Sequence, residues 1–371
     1  MSTQPSLPAQ TGTGKTILVT GGSGYVAAHV LNSFLSRGYN VRTTVRSQAT
    51  AERVKKSHTQ YLDRLSFAIV KDVATPGAHD EAVKGVDGVV HTASPFKMQV
   101  TSNKHDLLDP AINGTLSLLT SIQTHNPLIS HVVITSSFAS ILDLSLGSRP
   151  GYTYSEKDWN PITYDAAADA STPGAVAYCA SKALAERAVF DYVSTTQEEE
   201  GKAQVKPNFN ITTLCPPVVY GPAVENSIES LDLGKMNTSS ADIYRLVNGS
   251  EKEVPETSFF AFVDVRDLGE VHVKAYEKGL EREKRERAER YLVASGGYTY
   301  QQVCDVVREE FPGRRGLVPE GKKGKVERGV YGVDNGKVRR ELGVEFRGLR
   351  ECIGDMVREF EVVERRLGVA V

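Results

Sequence analysis

The sequence predicts an α/β fold: a doubly wound parallel sheet with a smaller C-terminal lobe. Three features carry this expectation: a glycine-rich turn directly after the first apolar strand, a strand–helix alternation over the first 220 residues, and the fading of that rhythm afterwards. Strands alternating with helices imply βαβ units, and these imply a parallel sheet covered on both faces.

Taken in order, Thr16–Thr20 is expected as a short buried strand, followed by the turn Gly21-Gly22-Ser23-Gly24 and a helix over Tyr25–Ser36. Gly38 caps that helix, and Val41–Val45 forms the second strand. Further strands are predicted at Ser66–Val70, Gly88–Thr92, His131–Thr135 and Asn210–Leu214, with helices over Asp106–His125 and Tyr178–Thr196. Gly221-Pro222 opens an irregular region that runs to Thr238. A helix at Ala241–Asn248 and the segment Phe259–Val263 then belong to the second lobe. The run Glu277–Arg290, dominated by Glu, Lys and Arg, is expected as a solvated helix face or loop.

Composition excludes several classes. With 44 basic against 46 acidic residues the formal charge is -2, which gives no basic excess for a nucleic-acid partner. Cys179, Cys215, Cys304 and Cys352 stand far apart, so neither a zinc site nor a disulfide framework is expected. No apolar run reaches the roughly 18 residues of a membrane helix, and the first ten residues lack an apolar core. A cytoplasmic protein without a membrane partner is expected.

The turn after the first strand has glycines where a Cβ would hold the backbone away from a pyrophosphate. The following helix turns its N–H groups and positive dipole end toward such an anion. Upstream, Ala9-Gln10-Thr11-Gly12-Thr13-Gly14-Lys15-Thr16 resembles the phosphate loop of RNA helicases. A phosphate loop must follow a strand and open a helix. This one opens a strand instead, so residues 1–15 are read as a flexible leader.

Tyr178 and Lys182 stand four apart in a helical pattern, which makes them neighbours on one face. A lysine cation favours the phenolate and lowers the tyrosine pKa toward a useful range. Ser136 and Ser137 end the strand His131–Thr135, at the sheet edge where ligands bind in open α/β folds. A hydroxyl there can hold a carbonyl oxygen as charge develops on it.

At this point the chain resembles the extended short-chain dehydrogenases/reductases, in particular the NADPH-dependent methylglyoxal reductase and dihydroflavonol-reductase-like ketoreductases. The resemblance rests on Thr20–Ala27, Val45-Arg46-Ser47, Asp72-Val73, Val90–Phe96, Pro110–Gly114, Thr135–Ser137, Asp158–Pro161, Tyr178–Lys182, Pro216–Pro222 and Phe262–Asp267. It implies a Rossmann domain over residues 16–220 and a mainly substrate-binding lobe over 221–371, interleaved with it. It further implies that Gly21, Gly22, Ser23, Gly24, Tyr25 and Val26 hold pyrophosphate, that Asp72 and Val73 flank adenine, and that Thr92, Ala93 and Ser94 line the cofactor cleft. Pro217 and Ser239 would lie near nicotinamide, and Ser137, Tyr178 and Lys182 match the catalytic trio, the last two also touching the cofactor. Asn113 matches the family's helix asparagine or is a helix-packing polar residue.

Two positions depart from the pattern: Thr50 stands where the family often has lysine, and Cys215-Pro216 where it has Asn-Pro. The second strand and its exit carry no carboxylate to bind a ribose 2′-hydroxyl, whereas Arg46 suits a 2′-phosphate, so NADPH is the expected cofactor. With Thr50 in the lysine position, Arg46 is expected to bear most of the discrimination. The reaction implied is reduction of an aldehyde or ketone to an alcohol by hydride transfer, with Tyr178 as proton donor. Phe96, Phe138, Ala175 and Tyr220 are substrate-pocket walls or core residues. An epimerase or dehydratase of the same family, or a non-catalytic NADP-binding sensor, is the alternative. The protein is expected as a monomer or homodimer.

Overall fold

The first half of the chain alternates as β1 (Thr16–Thr20), α1 (Tyr25–Ser36), β2 (Asn40–Val45), α2 (Gln48–Ser57), β3 (Leu65–Ile69), β4 (Gly88–His91), α3 (Asp109–His125) and β5 (His131–Thr135). This is a computed structural model, and it describes residues 12–94, 100–194, 207–224, 227, 231–282, 287–325 and 329–369. The two-residue strand β6 (Thr153–Tyr154) and the short α4 (Tyr164–Ala168) lead into α5 (Gly174–Ser194) and β7 (Asn210–Cys215). Then come β8 (Val218–Tyr220), α6 (Thr238–Val247), β9 (Ala261–Asp264), α7 (Val265–Leu280), β10 (Ala288–Leu292) and β11 (Gly296–Gly297). The chain finishes with α8 (Tyr300–Glu310), β12 (Gly332–Val333), α9 (Gly336–Leu342) and α10 (Leu349–Leu367).

Seven strands form one sheet in the order β10-β7-β5-β4-β1-β2-β3, and every pairing in it is parallel. The order runs outward from β1 in two directions. The winding order therefore reverses between the parallel neighbours β1 and β4, where their carboxyl ends leave a crevice for a ligand.

Both faces of this sheet are covered. Ile17 and Val19 pack with Phe34, Val271 and Tyr276 on the α1/α7 side, while Leu18 and Val89 pack with Leu118, Ile122 and Val189 on the α3/α5 side. That double burial explains why β1 reads as a continuous apolar run and not as an alternating one. A separate core of Tyr220, Ile243, Phe262, Val303, Met356 and Phe360 joins α6, α8 and α10 to the three-stranded sheet β11-β9-β8.

Three expectations need correction. The helix bearing Tyr178 starts at Gly174, so that tyrosine sits one turn inside it. Its expected end at Thr196 lies outside the described residues. The charged run is not simply solvated: α7 ends at Leu280, and the last residues of the run form β10, whose Arg290 is 5% exposed. Ion pairs absorb the charges, with Arg282 on Glu289 at 2.5 Å and Arg290 on Glu186 at 2.9 Å. The supposed leader residue Gly12 is buried, packs on Tyr39 and donates its N–H to the Arg37 carbonyl at 3.1 Å; residues 1–11 lie outside the described residues. Lys15 runs straight into β1, so no helix follows the helicase-like motif.

Candidate active site

The crevice between β1 and β4 is stitched at its base by Thr20. Its Oγ1 shares a hydrogen bond with His91 Nδ1 at 2.8 Å and accepts from Thr92 N and Ala93 N at 3.2 and 3.1 Å. Burial pushes the His91 imidazole down to about 3, so it is neutral at physiological pH. Beyond Thr20 the chain turns through Gly21, whose φ of +75° is costly for any residue with a Cβ. At Gly22 an added Cβ would lie 2.1 Å from Thr43 Oγ1. Gly24 begins α1 without any side-chain cap, which leaves the helix N-terminus facing the crevice with N–H groups to offer an anion.

The resulting cleft encloses about 330 Å³. Gly21, Ser23 and Gly24 form one wall, Thr92, Ala93 and Ser94 another, and Val73 the end. Arg46 at the exit of β2 lies in its lining, as expected, but so does Arg53, one turn beyond Thr50 on α2. Sequence reasoning overlooked Arg53 because the family pattern directs attention to position 50. Thr50 instead supports the arginine, with Arg53 Nη2 3.4 Å from Thr50 Oγ1. The rim thus carries two guanidinium groups, Arg46 and Arg53.

Other expected cofactor residues sit differently. Tyr25 turns away and donates to the Gly221 carbonyl at 2.6 Å, and Val26 packs against the α1/α7 core. Asp72 closes its own turn by accepting from Ala74 N at 2.9 Å. Pro217 lies between β7 and β8, and Ser239 in the first turn of α6.

On the other side of the crevice, α5 carries Tyr178, 36% exposed, with Lys182 Nζ 5.2 Å from its ring centroid. Lys182 also donates to Ser94 Oγ at 2.5 Å, which joins the Tyr–Lys helix to the cleft wall. Burial pushes the lysine down to about 8. The same burial, together with the neighbouring Cys179, raises the Tyr178 phenol above its ordinary value. The expected lowering by Lys182 is not found: the phenol is shifted by burial and by Cys179.

The two serines at the end of β5 have distinct tasks. Ser136 Oγ donates to Glu186 Oε2 at 2.7 Å. Among the described residues Ser137 Oγ only accepts, from Ala139 N at 3.1 Å, which leaves its hydroxyl hydrogen able to donate. Asn113 is exposed on α3, whereas Ala111 and Thr115 of that helix line the small cavity behind Lys182. Of the four expected pocket walls, Phe138 and Tyr220 are buried core residues. Phe138 packs on Tyr154 and Tyr331, and Tyr220 bonds Asp242 at 2.6 Å. Ala175 is exposed in the first turn of α5, and Phe96 lies outside the described residues.

The sequence pattern of the NAD dependent epimerase/dehydratase family matches residues 17–294, from β1 through β10. The chain belongs to this family. A Schizosaccharomyces pombe protein described only as an uncharacterized oxidoreductase is 38% identical over 347 residues, covering 93% of this chain and 97% of that one. Ketoreductase azaE of Aspergillus niger is 35% identical over 352 residues, covering 92% and 96%. Among solved structures, the yeast methylglyoxal/isovaleraldehyde reductase Gre2 complexed with NADPH superposes with a TM-score of 0.83 at 29% identity, covering 96% of this chain and all of that one. These matches span both lobes, so the likeness includes the C-terminal elements that the family pattern does not reach.

Proposed function

We propose that this chain is an NADPH-dependent carbonyl reductase that converts aldehydes or ketones to alcohols. The observation that carries the reading is the Lys182–Ser94 contact at 2.5 Å, which joins the Tyr178–Lys182 helix to the wall of the glycine-turn cleft. Full-length likeness to a ketoreductase and to an NADPH-bound reductase supports it.

The cleft fits a dinucleotide phosphate: the α1 N-terminus is uncapped at Gly24 in its lining, and Arg46 and Arg53 offer planar, permanently charged forks to a 2′-phosphate. NADPH supplies the hydride when bound. Tyr178 carries its proton at neutral pH, since an ordinary phenol titrates near 10 and desolvation shifts this one further up, and this is the form that can protonate a carbonyl oxygen. Ser137 offers its hydroxyl hydrogen to the same oxygen as negative charge grows on it. Lys182 is largely protonated at pH 7, and its cation, 5.2 Å from the centre of the Tyr178 ring, ties α5 to Ser94 of the cleft wall.

Loss of NADPH absorbance tests the reading with a panel of methylglyoxal, diketones, aryl ketones and flavonoid ketones. At least one carbonyl should be reduced with NADPH preferred over NADH. Binding of NADPH with no turnover of any panel member would instead favour the sensor alternative.

A further inference from the structure

Glu186 lies eight residues beyond Tyr178 and four beyond Lys182 along α5, and the proposed reaction makes no use of its charge. It is 3% exposed and meets the 5%-exposed Arg290 of β10 at 2.9 Å. The carboxylate also accepts from Ser136 Oγ at 2.7 Å, Thr213 Oγ1 at 2.6 Å and the Cys215 thiol at 3.4 Å. Arg290 spends its remaining donors on two stretches of the loop region after β5, at Ser140 and at Glu156–Asp158. Nη2 reaches the Ser140 carbonyl and hydroxyl at 3.1 and 3.0 Å, and Nη1 reaches the carbonyls of Glu156, at 2.9 Å, and Asp158. Its Cζ stands 3.7 Å from the centre of Trp159, the only tryptophan in the chain.

These bonds flank Ser137 on both sides. Ser136 is tied to Glu186. Ser140 is tied to Arg290, and it grips Ser137 in turn, because its N and Oγ both donate to the Ser137 carbonyl at 2.9 and 2.6 Å. The ion pair thus links the serine turn to the helix that carries Tyr178 and Lys182. Directional bonds to a fully satisfied buried pair fix geometry in a way that apolar packing of equal volume does not.

We propose that Glu186 and Arg290 are positioning residues that hold the Ser137 hydroxyl in register with Tyr178. The proposal rests on the assignment of Ser137 and Tyr178 made above. Misplacing a reacting group by about 1 Å costs on the order of 100-fold in rate.

The test uses Glu186→Gln, which keeps shape but removes the charge, and Arg290→Lys, which keeps charge but removes the fork. Each is made in the wild-type and the Ser137→Ala backgrounds. The measurements are kcat and KM for the best carbonyl of the panel, the NADPH dissociation constant, and Trp159 emission without cofactor. Glu186→Gln should lower kcat by about 30- to 100-fold while NADPH affinity stays within about two-fold and Trp159 emission shifts. Added to Ser137→Ala, it should cost no more than about three-fold further, because it acts through that serine. A shifted emission with kcat unchanged overturns the proposal. So does a loss that multiplies in full on Ser137→Ala. Wild-type kcat in Ser137→Ala alone removes the Ser137 assignment itself, a distinct result that takes the proposal with it. If Glu186→Gln fails to fold, Arg290→Lys carries the same comparisons.

Discussion

Lys182 donates to the hydroxyl of Ser94 at 2.5 Å, so one ammonium joins α5 to the loop that leaves β4. That bond makes the glycine-turn cleft and the helix of the proposed proton donor Tyr178 one site, in which variants expected to impair binding differ from those expected to impair chemistry.

Tyr178→Phe removes only a hydroxyl from a ring that is still held by its helix. Turnover should fall about 100- to 10,000-fold, with the NADPH dissociation constant and melting temperature nearly unchanged. Steady-state rates with NADPH absorbance, beside a fluorescence titration of the cofactor, check this. A Phe variant of near wild-type kcat would contradict the assignment.

The two adjacent serines should behave unlike each other. Ser137→Ala removes the donor available to the carbonyl oxygen and should lower kcat about 100- to 1,000-fold without a large change in melting temperature. Ser136→Ala removes a bond to the buried carboxylate of Glu186. It should cost about 1.5–3 kcal/mol of stability and less kcat, since the Ser140 tether remains. Thermal melts and initial rates on both variants decide the matter; reversed effects would exchange the roles.

Cofactor choice should be divided between Arg46 and Arg53. Each alanine variant should raise the KM for NADPH about ten-fold, in line with the loss of a charged hydrogen bond of about 1.5 kcal/mol. The double variant should approach the KM for NADH, and the NADH reaction itself should change little throughout. An Arg53→Ala variant with a wild-type KM for NADPH would leave the discrimination to Arg46.

Acid should unfold the protein earlier than its carboxylates alone would require. Burial pushes His29, His79 and His272 down to about 4, and His91 and His131 to about 3. Between roughly pH 6.5 and 4 the unfolded chain binds protons at these positions and the folded one does not. Stability therefore falls as pH drops through that window, by up to about 1.4 kcal/mol per pH unit for each histidine. Glu359, raised by burial to about 7, takes up a proton in the folded state and offsets one of the five. Melting temperatures from pH 7 to 5 should decrease by on the order of 10 °C. A flat profile would mean that these imidazoles titrate normally.

Much of this architecture can be read from the chain because local signals agree with the global fold. Ile17, Leu18 and Val19 announce a strand buried on both faces, and the glycines that follow announce a turn that must approach another group closely. Tyr178 and Lys182 are legible because helical spacing alone makes them neighbours. Arg290 is not, since its partner lies 104 residues away and a run of Glu, Lys and Arg reads as solvated unless that partner is known. Arg53 is hidden for a smaller reason: α2 buries only Thr50, Ala51 and Val54, too weak a stripe to predict which side chains face the cleft. Phe138 and Tyr220 show the limit for aromatics, as the same residue type suits a pocket wall and a core equally well.

The parallel pairing of β10 with β7 carries a consequence for biogenesis. At ribosomal speeds of about 5–20 residues per second, Arg290 emerges roughly 5–20 s after Glu186. From the emergence of β7 until that of β10, β7 is the open edge of a six-stranded sheet, and the carboxylate of Glu186 has no counter-charge from Arg290. The nascent chain must keep that edge wet until β10 arrives, which makes this interval the natural point for a chaperone to hold the chain and for premature burial to trap it.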